Sequence, residues 1–317
     1  MSLREELTQY IKQQALLIGF DACGIAKAEF LEEDSQFFNA WIQRKYHAQM
    51  GYLERNSEKR FDPHQMVEGC KSVVVALINY YPLQLQEINS PRIAKYAYSK
   101  IDYHTVIKEK LQKLEKSITD KFGDSCFNKN RQHRFVDSAP VLERRWGEKA
   151  GLGWIGKNKM LIHPDFGSFF FLGELFLNVE LEYDKPIKNR CGICRKCLDA
   201  CPTNALSETR GLDSLRCISY QTIENKKEVD VEIRSKLSGF AFGCDICNDV
   251  CPWNISRKKP TKSVELQAAD EIKEWNLSRW ENLDPKEFDD TFKHSALKRA
   301  GFEKLKQNIH FVTKEQK

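Results

Sequence analysis

Eight of the eleven cysteines in this 317-residue chain lie between Cys191 and Cys251. Cys191, Cys194, Cys197 and Cys201 read C-x2-C-x2-C-x3-C and are followed by Pro202. Cys217 stands alone, and Cys244, Cys247 and Cys251 then read C-x2-C-x3-C before Pro252. No other feature constrains the fold as strongly. Thiolates at every third residue wrap three corners of an iron–sulfur cubane, and the fourth corner must come from elsewhere in the chain.

The first run has the spacing of bacterial ferredoxins that carry paired 4Fe–4S clusters, where the fourth cysteine ligates the other cluster. The crossed assignment gives Cys191, Cys194, Cys197 and Cys251 to one 4Fe–4S cluster. Cys201, Cys217, Cys244 and Cys247 go to the other. The second motif departs from the plain repeat, because its first ligand is displaced to Cys217. Structural zinc is the competing reading, but zinc commonly takes its ligands as two C-x2-C pairs, which fits this run poorly. Cys23, Cys70 and Cys126 are scattered and read as small buried residues.

Composition sets outer limits. The length suits one large domain with smaller ones, and 41% hydrophobic and 11% aromatic residues suit a globular core. No run approaches the roughly 18 apolar residues of a membrane helix. The N-terminal stretch is amphipathic with both charge signs, so it reads as neither a secretory nor a twin-arginine signal. A cytoplasmic protein is expected, where thiols stay reduced. The net charge of +5 does not by itself imply nucleic acid. Basic residues do gather at Arg144 and Arg145, at Arg257, Lys258, Lys259 and Lys262, and at Lys293, Lys298, Arg299, Lys304 and Lys306. On charge alone these read as solvated surface.

Periodicity divides the rest. Residues 3–18 and 102–121 carry helical stripes, and residues 73–80 form a β-branched run that reads as a buried strand. Residues 133–137 read as a short strand, 141–150 as a charged helix ending at Gly151, and 159–180 as paired strands with a turn at 163–167. The expected architecture is α+β, with a catalytic domain over 1–181, a ferredoxin-like two-cluster domain over 182–262 and a short, polar helical extension over 263–317.

Several residues offer chemistry. Asp137 stands at a strand end before Pro140, a place for an acid catalyst and equally for a turn or cap. Asp102, Tyr103 and His104 open a helix, and Asp102 alone reads as its N-cap. Glycines at 151, 153 and 156, beside Trp154, Lys157 and Asn158, allow close backbone approach to a flat or anionic ligand, or simply turn the chain after a helix. Arg60 can bind a phosphate or carboxylate, or end a helix.

In combination these segments resemble epoxyqueuosine reductases. The resemblance rests on Tyr96-Ala97, on Asp102-Tyr103-His104, on Val136-Asp137-Ser138-Ala139-Pro140-Val141-Leu142-Glu143 and on Gly153-Trp154-Ile155-Gly156-Lys157-Asn158. Cys217-Ile218-Ser219-Tyr220, Gly243-Cys244-Asp245-Ile246-Cys247 and Ser295-Ala296-Leu297-Lys298-Arg299 extend it over nearly the whole chain. It implies a cobalamin-binding α/β sandwich-like catalytic domain and an enzyme that reduces epoxyqueuosine to queuosine at the wobble position of tRNA. Asp137 matches the family's proton donor. Arg60, Asp102, Tyr103, Trp154, Gly156, Lys157, Asn158 and Ser219 fall where the family builds its cobalamin and substrate pocket. No residue reads as a strong lower ligand for cobalt; His104 is the nearest candidate. A proton-donating Asp137 must be neutral at working pH, which burial beside the apolar corrin would favour. The resemblance further implies a monomer, a tRNA anticodon stem-loop as partner, and an external electron donor of flavodoxin or ferredoxin type. Longer members carry a C-terminal helical-repeat domain, so here the basic residues above are expected to hold the RNA. The rival readings are a cobalamin-dependent reductive dehalogenase-like enzyme, normally exported with a twin-arginine signal, and a ferredoxin-like electron carrier. A carrier needs little beyond the clusters, which the large remaining body argues against.

Overall fold

A computed structural model describes residues 2–127 and 132–314. The β-branched run becomes the inner strand of a four-stranded antiparallel sheet. Its strands are β1 (Ala22–Lys27), β2 (Ser72–Asn79), β3 (Arg134–Phe135) and β4 (Phe170–Leu177), in the order β1-β2-β4-β3. Every residue of β2 and β4 is buried, because helices cover both faces of the sheet. That is why these strands read as continuous apolar runs rather than alternating ones.

One face carries α1 (Leu3–Ile18) and α2 (Tyr103–Phe122). A capping box between Ser2 and Glu5 starts α1, and Gly19 at φ 100° ends it in the left-handed conformation. The predicted stripe of α2, namely Val106, Ile107, Leu111, Leu114 and Ile118, is buried. A Cβ at Gly173 of β4 would stand 2.5 Å from the Ile107 side chain, so the bare backbone there lets α2 settle. The opposite face carries α3 (Glu143–Lys149), packed on β1, β2 and β4.

The chain separates into two units that are not consecutive segments. One is Met1–Gln43, Tyr52–Asn79 and His104–Cys194; the other is Arg44–Gly51, Tyr80–Tyr103 and Arg195–Lys317. This division differs from the expected boundaries at 181 and 262. Residues Arg92–Ile93 pair in parallel with Phe240–Phe242, and Thr261 donates to the Tyr81 carbonyl at 2.8 Å. Such long-range pairings draw the 80–103 segment into the second unit, and nothing local in the sequence announces them.

The expected polar extension is the larger correction. With α4 (Ile218–Ile223), the helices α5 (Pro285–Phe292) and α6 (Phe302–Lys314) build the core of the second unit. Trp280, Phe288, Phe292, Leu305 and Ile309 bury against Ile93, Ile218, Phe240 and Phe242. The apolar residues recur at i, i+4 and i+7, so one narrow face is apolar although the segment as a whole is polar.

Within that core Asn308 is fully buried. Its side-chain amide donates to the carbonyls of Thr222 (2.9 Å) and Ala241 (2.8 Å), tying α6 to α4 and to the strand that leads into Cys244. Among the described residues no helix is long and apolar enough to cross a membrane. Asn308→Ala leaves both buried carbonyls without this donor and is expected to cost about 1–3 kcal/mol. A lowered urea midpoint checks this; an unchanged midpoint would assign the tie no weight.

Candidate active site and cluster-binding cysteines

The second unit brings Cys201, Cys217, Cys244 and Cys247 into one neighbourhood, the group assigned to a single cluster from their spacing. Burial pushes the Cys244 thiol up to about 12, with Cys217 and Cys201 adding to the rise. Cys247 is driven well above its ordinary value by burial and then by Cys244, Cys217 and Cys201. Burial also raises Cys217, with Cys201 contributing. Thiols that raise one another in this way share a small volume, and a metal cluster displaces the protons they hold. Thiolate is the donor chemistry of such clusters, although among the described residues no three Cys, His, Asp or Glu side chains already converge as closely as a single metal ion requires.

The local backbone explains the convergence. Cys217 caps α4, and Cys244 follows the strand Phe240–Phe242 through Gly243 at φ 67°. A Cβ at Gly243 would lie 2.5 Å from that of Ala94, so glycine is required there on two counts. Lys95 clamps the Cys244–Cys247 turn. Its backbone N–H donates to Asp245 at 2.8 Å and its Nζ to Asp249 at 2.7 Å. Burial works against the Lys95 charge, but Asp245 and Asp249 outweigh it and raise the pKa. Of the other four cysteines, Cys191 and Cys194 close the first unit, whereas Cys197 and Cys251 belong to the second.

The first unit holds a cluster of acids. Asp137 lies just past β3 in the left-handed conformation, φ 44°, which aspartate tolerates better than most residues. Its backbone N–H donates to Oε1 of Glu143, the first residue of α3. Its carboxylate Oδ2 stands 3.1 Å from His104 Nε2, in the first turn of α2. Glu174 lies in the middle of β4, opposite Phe135. It is fully buried, and neither carboxylate oxygen has a hydrogen-bond partner.

Environment sorts these acids. Burial, then the charge of Asp137, pushes Glu143 up to about 8. Burial, then Glu143 and Asp137, drives Glu174 well above the carboxylate range. Both therefore hold protons at neutral pH, while the side chain of Asp137 is 56% exposed. Asp137 is the exposed member of the group, and burial falls on the two glutamates. His104, the nearest candidate for a cobalt ligand, pairs instead with Asp137. Glu174 was visible in the sequence as the lone acid in Phe-Phe-Phe-Leu-Gly-Glu-Leu-Phe-Leu, residues 169–177.

The remaining predicted residues are placed as follows. Arg60 is half-buried; it donates to the Tyr52 carbonyl at 3.2 Å, and its Nε–H has no acceptor. A partly buried guanidinium with an unused donor fits a carbonyl or anionic group of a bound cofactor. Asp102 immediately precedes α2, and Tyr103 lies edge-on to Tyr96 at 6.2 Å. Trp154 is fully enclosed at the start of a hairpin between Trp154–Ile155 and Leu161–Ile162. Cβ atoms at Gly153 and Gly156 would meet the Ile162 carbonyl at 2.2 Å and its side chain at 2.5 Å. These glycines are thus required by the closure of the hairpin itself. Asn158 is buried and accepts from the Met160 N–H at 3.3 Å, while Lys157 is half-buried. Ser219 lies half-buried in α4, two residues after Cys217.

Several basic residues expected at an RNA surface are already engaged. Arg145 binds Asp34 at 2.8 Å and Glu148 at 2.5 Å. Arg299 makes two contacts with Glu224, at 2.8 and 3.1 Å. Lys304 and Lys306 donate to the carbonyls of Lys227 and Leu283. Arg257, Lys258 and Lys259 are exposed.

Comparison with known proteins bears on both units. A family model described as "4Fe-4S double cluster binding domain" matches residues 190–254. Another, "Epoxyqueuosine reductase QueG, DUF1730", matches residues 60–138. An epoxyqueuosine reductase of Cyclobacterium marinum is 46% identical, with 99% of each chain covered. A crystal structure of epoxyqueuosine reductase with an epoxyqueuosine-modified tRNA-Tyr stem loop has a TM-score of 0.85 at 30% identity, over 97% of this chain and 80% of that one. An epoxyqueuosine reductase structure from Bacillus subtilis, described with its aspartate catalytic loop swung out of the active site, has a TM-score of 0.83 at 29% identity, over 97% of this chain and 81% of that one. The reductive dehalogenase NpRdhA shares the fold alone, with a TM-score of 0.51 at 19% identity over 81% of this chain and 34% of its own.

The buried Glu174 has a measurable consequence. In the unfolded chain a glutamate ionises above about 4.3, whereas in the folded protein Glu174 keeps its proton far higher. Folding then binds a proton, so stability falls as pH rises above the ordinary glutamate value, by up to about 1.4 kcal/mol per pH unit. Glu174→Gln removes this term. Its stability relative to the parent is expected to improve between about pH 5 and about pH 8. Urea midpoints at the two pH values check this; a constant difference would mean that Glu174 is ionised in the native state.

Proposed function

The chain belongs to the epoxyqueuosine reductase family, and from that premise we propose how its own residues perform the reaction. It is an oxidoreductase that reduces epoxyqueuosine to queuosine in tRNA. Opening the epoxide and losing its oxygen as water takes two electrons and two protons. Electrons reach the reaction through the double 4Fe–4S domain, with the eight cysteines divided as assigned from their spacing. When bound, cobalamin supplies a centre that accumulates electrons delivered singly and acts as a strong reductant toward carbon. Arg60, Asp102, Tyr103, Trp154, Gly156, Lys157, Asn158 and Ser219 are the residues that would hold it, with the unused Nε–H of Arg60 the best-supported contact. No membrane helix is present among the described residues, and reduced thiols favour the cytoplasm. The reading keeps a monomer and an external flavodoxin- or ferredoxin-type donor.

The observation that carries the acid role is the exposed Asp137 carboxyl on an anchored loop, paired with His104. Asp137 gives its proton to the departing epoxide oxygen as general acid. His104, with Nε2 at 3.1 Å from the carboxylate, is placed to return a proton to it. The structure of the Bacillus subtilis relative is described with its aspartate catalytic loop swung out of the active site, in line with an aspartate on a loop as the reacting group.

The partner is the anticodon stem-loop of a tRNA carrying epoxyqueuosine, as in the stem-loop complex of the relative. Single-stranded bases are read by being splayed out of the stack, and phosphates are held by lysine and arginine. The exposed Arg257, Lys258 and Lys259 are candidates, with Arg144 and Lys298.

Two measurements test this. Asp137→Asn is expected to lower turnover of a modified stem-loop by about 10²- to 10⁴-fold with both clusters retained; turnover at the parent rate would remove Asp137 from the acid role. Lys258→Ala is expected to weaken RNA binding at low salt and to flatten the slope of log K against log salt by about 1. An unchanged slope would place the phosphates elsewhere.

A further inference from the structure

We propose that Glu143 is the positioning residue of the reaction: through the Asp137 backbone N–H it holds the left-handed turn on which the proton-donating carboxyl is presented. The inference rests on the reading of Asp137 as the acid.

Two contacts of Asp137 do different work. His104 meets the carboxylate itself, so it can aim the side chain and exchange a proton with it but leaves the backbone unfixed. Glu143 takes the backbone N–H and so fixes the conformation of the residue. A non-glycine residue at positive φ persists only when its surroundings hold it there. Here the loop 136–142 runs from a strand end to a helix start, and the Glu143 carboxyl bridges the two ends. Glu143 cannot easily leave this position, because α3 is seated on the sheet and fully buried Glu174 lies beneath it.

The groups facing Glu143 are Asp137 from the loop, His104 from α2, Glu174 from β4 and Arg144 from its own helix. Burial and the Asp137 charge keep Glu143 protonated up to about pH 8. Through the neutral range it therefore acts as an uncharged hydrogen-bond acceptor, which a glutamine reproduces. Above that pH it becomes a second negative charge against Asp137, which a glutamine never becomes.

The test compares Glu143→Ala, Glu143→Gln and Asp137→Asn in the cluster- and cobalamin-loaded protein with a modified stem-loop. Glu143→Ala is expected to lower kcat by about 10²-fold, the scale of a displaced catalytic group, with KM for the RNA unchanged. Glu143→Gln is expected to restore most of that loss near pH 7, and its rate relative to the parent should change as pH crosses about 8. A second readout needs no turnover. Hydrogen exchange at the Asp137 amide should accelerate in the alanine variant and stay slow in the glutamine variant. Parent-like kcat and amide protection in Glu143→Ala overturn the proposal, as does a glutamine variant no better than alanine, whether or not alanine folds. If Asp137→Asn turns over normally, the acid reading itself fails. If it is inactive while Glu143→Ala is normal, only the positioning role falls.

Discussion

The absence of a side chain at Gly24 is the constraint on which the active-site face of the sheet depends. A Cβ there would stand 2.1 Å from the carbonyl oxygen of Ala150, the residue that ends α3. Only a bare backbone lets this helix lie directly on β1. Gly24, Val75, Glu174 and Phe135 form one row across the four strands. The helix seated at the Gly24 end of the row brings its first residue, Glu143, over Glu174 and under the Asp137 loop. The catalytic geometry thus begins at a position that carries no functional group.

The second unit uses the same economy around its thiols. Gly243 gives Cys244 its turn, Lys95 fastens Asp245 and Asp249 on either side of Cys247, and Asn308 fastens the carbonyls of Thr222 and Ala241. The Thr222 hydroxyl in turn accepts from the Gly243 N–H at 3.0 Å. Residues from three distant parts of the chain therefore fix the backbone that carries one set of cysteines. Cysteines on so fixed a backbone would shift little if a bound cluster were oxidised or reduced, which suits electron transfer.

Much of this was legible in the sequence. The stripe of α2 and the buried run of β2 are local patterns, and each reports directly on what it forms, whereas in α1 the helix was legible but Leu3, Leu16 and Leu17 of its apolar set are exposed. Asp137 was legible through its motif; Glu174 was missed, although a lone acid in an apolar strand is a signal for it. What could not be read are relations between distant segments. The parallel pairing of Arg92–Ile93 with Phe240–Phe242 moved a domain boundary. The narrow apolar face of α5 and α6 was hidden by polar composition. Gly153 and Gly156 looked like a ligand cradle, because the sequence does not say whether the atom that comes close belongs to a ligand or, as here, to Ile162.

The acid cluster is best understood through charge. Three carboxylates on one apolar wall would repel one another and lose hydration, so the cluster is tolerable only if most of its members stay protonated. Arg144 and His104 are the cations facing it, and His104 is engaged with Asp137. The protein therefore settles with two neutral acids inside and one exposed acid outside. For a reaction that consumes protons as well as electrons, this arrangement has a further effect. An exposed aspartate backed by neutral groups faces no permanent negative field from its own scaffold. Whatever proton affinity it needs can be set by His104 and by the bound substrate, the partners that change during the reaction. A scaffold of ionised glutamates would instead have imposed a standing negative field on the acid.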